Sequence, residues 1–149
     1  MTIEPVRPQT KDSRWAGVDE MRYKPEGTAA FRDITRQVLF QDPALACELR
    51  YFEMQPGGYS TLERHEHSHA VMIQRGAGRV LVGDRVHDVR EHDLVHIPAL
   101  TWHQFRADED APFGFLCMVN ATRDRPQLPA AGDLEALRRD PAIAAFIRV

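Results

Sequence analysis

The chain reads as a small all-β domain, a sandwich or barrel, carrying a polar N-terminal arm and one or two short C-terminal helices. Three observations point to this. Short apolar or alternating runs recur between turn residues from about residue 34 to residue 119, a spacing that suits antiparallel strands and not βαβ units. The first 30 or so residues are rich in Pro, Gly and charge. The last twenty change to apolar residues interleaved with acids and arginines, split by Pro141. The expected division is therefore an arm over 1–33, a β domain over 34–122 and a helical segment over 123–149.

In chain order, the arm has little predicted regular structure, with Trp15 and Tyr23 as its anchors. Ile34 to Phe40 reads as a first strand, broken by Asp42-Pro43. Cys47 to Met54 alternates, with Cys47, Leu49, Tyr51 and Glu53 on one face and Glu48, Arg50, Phe52 and Met54 on the other. Pro56-Gly57-Gly58 reads as a turn closing that strand, followed by a second strand from Tyr59 into His65. A further strand starts near His69, and Gly76-Ala77-Gly78 permits left-handed backbone after it. Val80 to Val82 and Val86 to Val89 form a hairpin across Gly83-Asp84. Leu94 to Ile97 is a short strand stopped by Pro98. Trp102 to Phe105 and Phe113 to Val119 complete the set, separated by the acidic loop Asp108-Glu109-Asp110.

Bulk properties narrow the function classes. A chain of 149 residues suits one core and at this size buries roughly 68–70% of its unfolded surface, so it needs no metal or disulfide to fold. The formal charge is −3 with mixed signs and no basic stripe, which argues against nucleic acid as a partner. No apolar run approaches the ~18 residues of a membrane span and no signal-like segment opens the chain, so a soluble cytoplasmic protein is expected. Cys47 and Cys117 lie far apart, in different predicted strands, and read as two buried thiols.

The chemistry concentrates in Glu63-Arg64-His65-Glu66-His67-Ser68-His69 and, 34 residues beyond its end, His103. Glu63, His65, His67 and His69 share strand parity, and a neighbouring strand can bring His103 against them. Neutral imidazoles and a carboxylate suit a divalent first-row metal: Fe, Mn, Ni, Co or Zn. Crowded imidazolium ions repel, whereas a cation turns the same proximity into stabilisation. The isolated His87, His92 and His96 read as surface residues.

These motifs resemble the cupin superfamily of small β-barrels. Gly57, five residues, Glu63-Arg64-His65, three residues, His69, six residues and Gly76 reproduce the spacing of its first motif. Pro98, four residues and His103 reproduce the second, with His92 standing where that motif has glycine and Ala107 where it has asparagine. The resemblance covers about residues 47 to 119 and implies a double-stranded β-helix, or jelly-roll, barrel with one metal. In that register the ligands are Glu63, His65, His69 and His103. A shifted register recruits His67 and releases Glu63, so His67 and Glu63 compete for the fourth place.

An apolar cavity around a metal would hold a small organic substrate. Tyr51, Phe52, Met54, Met72, Trp102, Phe105, Phe113, Phe115 and Met118 are its candidate walls, roughly half of them facing inward. Gln74, Arg75 and Gln104 are candidates for orienting the substrate, and Glu63 or His67, if not a ligand, for general base. The resemblance implies a metal-dependent enzyme acting on an oxygen-rich small molecule, with a dioxygenase-type oxidoreductase as the leading expectation. An isomerase, lyase or cyclase, or a non-catalytic binding module, are the alternatives. A homodimer is expected, the arm lying across a partner barrel or folding back on its own.

Overall fold

The computed structural model describes residues 5–24 and 29–149. Parts of the predicted arm, residues 1–4 and 25–28, lie outside the described residues. Among the described residues, nine strands form one antiparallel sheet that curls into a barrel: β1 (Met21–Arg22), β2 (Arg32–Gln41), β3 (Cys47–Tyr59), β4 (His69–Arg75), β5 (Ala77–Val82), β6 (Arg85–Arg90), β7 (Leu94–Ile97), β8 (His103–Ala107) and β9 (Phe113–Asn120). Two helices follow, α1 (Ala131–Leu137) and α2 (Pro141–Phe146). The main strand order is β6-β5-β8-β3-β9-β4-β7, with β2 also on β3 and β1 on β2.

β3 is the hub. It pairs with β9 from Cys47↔Asn120 to Met54↔Phe113, with β2 along much of its length, and with β8 at Tyr59↔Arg106. The alternation read from the sequence holds. Phe52 and Met54 join the core with Ile73, Phe105, Phe113 and Phe115, while Tyr51 on the other face meets Trp15 at 4.9 Å between ring centroids.

Two predicted features change. Pro56-Gly57-Gly58 is not a turn: β3 runs through it to Tyr59, and the register with β2 slips there, from Ile34↔Met54 to Arg32↔Tyr59. Gly57 takes φ 77°, and a Cβ on Gly58 would lie 2.9 Å from the carbonyl oxygens of Arg32 and Gln55, so the bulge needs both glycines. Nor is there a strand from Tyr59 into His65. Beyond Tyr59 that segment follows β8 through the isolated bridge Glu63↔His103 and then meets Gln127 through Arg64. The hairpin β5–β6 and the strands at Leu94–Ile97 and Phe113–Asn120 follow the predicted pattern.

The described part of the arm lies on its own barrel. Gln37 Nε2 donates to Ser13 O at 2.9 Å, Arg7 donates to Leu39 O, and Tyr23 stacks edge-on against Phe31 and Phe52. At the other end, Asp140 caps α2 by accepting from the amides of Ala142 and Ile143, and Pro141 occupies the first turn. Leu137, Ile143, Phe146 and Ile147 then pack with Leu62 and Leu81 in a second apolar cluster. This clamps the segment that carries the histidines from behind. No described helix is long and apolar enough to cross a membrane.

Candidate metal centre and cavity

The histidine segment is positioned by backbone pairing with β8. Ser60 N donates to Phe105 O, Glu63 N to His103 O, His103 N to Glu63 O, and Leu100 N to His65 O. These bonds lay the segment beside the start of β8, while β4, paired with β9 and β7, begins at His69. Three imidazoles meet as a result: ring nitrogens of His65, His69 and His103 all lie within 4.8 Å of one another. Three buried or half-buried histidines so placed can hold a metal ion.

The outer nitrogens decide what the inner ones offer. His65 Nδ1 donates to His67 O at 2.8 Å, and His103 Nδ1 donates to Thr101 O at 2.9 Å. A carbonyl only accepts, so both rings carry their proton on Nδ1 and present a bare Nε2 to the cluster. His69 Nδ1 lies 3.1 Å from Cys117 Sγ, and its Nε2 lies 2.6 Å from His65 Nε2. Nitrogen lone pairs brought this close need a shared proton or a cation between them. Anchoring the outer nitrogen is also how metal-binding histidines are oriented. Burial, first, and repulsion from the neighbouring imidazoles hold His69 down to about 2. Burial likewise holds His103 down to about 4 and lowers His65. The rings thus stay neutral at neutral pH, the form that binds metal.

The other two candidates lie beside the triad, each with a polar partner of its own. His67 stacks on His65 at 3.8 Å, nearly parallel, but its Nδ1 is turned to Asp124 Oδ1 at 2.8 Å. Asp124 also accepts from Glu66 N at 2.9 Å, and this backbone bond is the first cause holding its carboxyl down to about 2. The Glu63 carboxylate is held by Lys24 Nζ at 2.5 Å. His87, His92 and His96 are exposed. His92, at the glycine position of the second motif, has φ 74°, the left-handed backbone that glycine adopts freely.

The cluster opens into a cavity of about 410 Å³. Phe52, Phe105, Phe115 and Val71 supply its apolar wall. Of the other aromatic and methionine candidates, Met54 and Phe113 lie in the core, and Met72 and Met118 are exposed. None of the three polar orienting candidates lines the cavity. Gln74 points to solvent, Arg75 pairs with Glu53, and Gln104 is spent on Ser60 O and on both backbone groups of Arg148. The polar lining comes instead from Lys24, Arg36, Arg50, Arg123, Asp124 and Arg125. Arg50 and Arg36 had a usable signal, as charges on the Phe52 face of one predicted strand and the Ile34 face of another. Cys117 is a buried thiol, as expected, and burial raises its pKa; Cys47 is half-buried, and no disulfide joins them.

Comparison with known proteins agrees with this geometry. The cupin domain family matches residues 50–119. The chain is 58% identical over 143 residues to 1-methylthio-D-xylulose 5-phosphate methylsulfurylase of Rhodospirillum rubrum, covering 96% of this chain and 92% of that one. A crystal structure of a cupin 2 conserved barrel domain protein from Rhodopseudomonas palustris superposes with a TM-score of 0.91 at 60% identity, over 97% of this chain and 99% of that one. A cupin-2 domain structure from Rhodospirillum rubrum gives 0.85 at 57% identity, over 96% of each chain. Barrel, histidine spacing and a near-full-length relative converge, and the chain belongs to the cupin family.

Proposed function

We propose that this cupin is a metal-dependent enzyme acting on a methylthio-substituted ketose phosphate, breaking the carbon–sulfur bond beside the ketone. The observation that carries this is the pairing of an imidazole triad with a cationic cavity, in a chain 58% identical to the 1-methylthio-D-xylulose 5-phosphate methylsulfurylase of Rhodospirillum rubrum. His65, His69 and His103 would hold the metal, His65 and His103 through their bare Nε2 atoms. The metal would stabilise negative charge developing on the ketone oxygen as the carbon–sulfur bond breaks.

The chain's own residues have separate tasks. Breaking the bond with its electron pair left on carbon requires an acceptor for the methylsulfanyl group and a proton for that carbon. A thiol from a second molecule balances the step: its sulfur bonds to the methylsulfanyl sulfur, giving a mixed disulfide, and the ketose becomes its 1-deoxy form. Cys117 is a poor acceptor, since it is 2% exposed and burial keeps it a thiol. His67 lies in the cavity wall with Asp124 on its Nδ1, so its Nε2 is free to hand a proton to carbon while the carboxylate stabilises the charged ring. Phe52, Phe105 and Phe115 keep water from the reacting carbon.

The test is anaerobic turnover of 1-methylthio-xylulose 5-phosphate by metal-loaded protein with an added thiol, followed by proton NMR. Formation of the 1-deoxyketose phosphate and a methyl disulfide is the expected result. Turnover that requires oxygen, with consumption of O2, would return the reaction to the dioxygenase class. A product that keeps its sulfur would make it an isomerase.

A further inference from the structure

We infer that Arg36 and Arg50 form the phosphate-binding end of this cavity, fixing the substrate so that its ketone meets the histidines. The inference rests on the sugar-phosphate reading above and assigns the residues that read the phosphate.

Arg50 sits on β3, between Val38 of β2 and Cys117 of β9, and is only 9% exposed. Arg36 of β2 lies opposite Phe52, the next inward residue of β3. Arg123, in the segment after β9, completes a group of three guanidiniums around Glu48. That carboxylate accepts from Arg123 Nη1 at 2.7 Å, while Arg50 Nε stays 3.6 Å away, beyond hydrogen-bond reach. Among the described residues, the buried Nε atoms of both Arg36 and Arg50 have no hydrogen-bond partner. The other contacts of Arg50 are weak: the face of Phe52 at 5.0 Å, and Cys117 Sγ at 3.7 Å from Nη2.

The two carboxylates of the cavity lining are committed elsewhere, Glu63 to Lys24 and Asp124 to His67 and Glu66 N. One carboxylate against three guanidiniums leaves an excess of positive charge in a chain whose net charge is −3. Burying such charge without a counterion is costly. Burial and the repulsion of Arg50 both lower the Arg36 pKa, the mark of a cation short of anionic company. Guanidinium forks match phosphate oxygens in shape and donor number. Cys117 Sγ touches both Arg50 Nη2 and His69 Nδ1, so one thiol separates the arginine pair from the triad. A short chain with a ketone at one end and a phosphate at the other spans that gap.

The test uses the full, metal-loaded chain and three probes: ribulose 5-phosphate, ribulose and inorganic phosphate, with binding measured by calorimetry. Wild type is expected to bind the phosphorylated ketose and inorganic phosphate, and to bind ribulose far more weakly. Arg36→Gln and Arg50→Gln should each weaken ribulose 5-phosphate binding about ten- to hundredfold, the worth of a hydrogen bond to a charged group, with metal content unchanged. Arg50→Lys should recover part of the loss, and the half-buried Arg36 carries the test if Arg50→Gln does not fold. Undiminished ribulose 5-phosphate binding in Arg36→Gln, and in Arg50→Gln where it folds, would overturn the arginine site while leaving the substrate class standing. A wild-type protein that binds no phosphorylated probe would overturn both.

Discussion

The two ends of the cavity are built differently. The histidine end comes from one short stretch and the first residue of β8, and each of its three rings has its outer nitrogen tied to a fixed neighbour. It is neutral and its geometry is set before anything binds. The arginine end draws on β2, β3 and the segment after β9, and its charge exceeds its partners. The contrast shows two routes to preorganisation. One orients neutral ligands by their outer hydrogen bonds; the other stores unpaired charge behind apolar walls and leaves it for an incoming anion.

The largest effect that can break this comparison is at His103. His103→Ala should abolish metal retention and with it activity, while far-ultraviolet circular dichroism still reports the β fold. Unchanged metal stoichiometry would remove His103 from the centre. Next in size is His67→Gln. If His67 handles a proton, kcat should fall about 10²–10⁴-fold with the metal retained. Loss of the metal instead would make His67 the fourth ligand, the alternative that the motif spacing left open.

A smaller effect separates the neutral end from the charged one by pH. Histidines in an unfolded chain titrate near 6.5, whereas burial holds His103 at about 4 and His69 at about 2 in the fold. Between about 6.5 and 4 the unfolded chain therefore binds more protons than the folded one. Stability of the metal-free protein should fall as pH is lowered through that window, and keep falling below it as His69 resists protonation. Urea midpoints at pH 7, 5.5 and 4.5 test this, and a midpoint that rises with acidification would contradict the sign. Smallest is His92→Gly. Relieving a left-handed φ of 74° should stabilise the protein by about 1 kcal/mol, less the entropy that glycine loses on folding. A lowered melting temperature would mean that the imidazole has a role the backbone does not reveal.

Much of the barrel could be read in advance because strand signals are local. The hairpin across Gly83-Asp84, the stop at Pro98 and the two faces of β3 each depend on residues within a few positions. The misread places are those where a local signal met a distant partner. Pro56-Gly57-Gly58 looks like a turn by composition, yet neighbours in β2 and the acidic loop hold it as a bulge, with Gly57 N donating to Asp108 O. The stretch to His65 looks extended, yet it pairs only through isolated bridges. Glu63, His65, His67 and His69 still face one cavity, but Asp124, 57 residues away from His67, takes that ring's Nδ1.

What the chain determined by itself is the succession of most of its strands, several of its bends, and the joining of the His65–His69 stretch to His103 in one barrel. These follow from alternation, spacing and turn chemistry, which act over a few residues. Only the tertiary structure decided that Arg36, Arg50, Arg123 and Asp124 share the cavity, and that Gln74, Gln104 and Arg75 do not. Alternation says which face of its own strand a side chain takes. Which side chains from separate strands then meet depends on register and on how the sheet curls, and those are settled by hydrogen bonds between segments far apart in sequence.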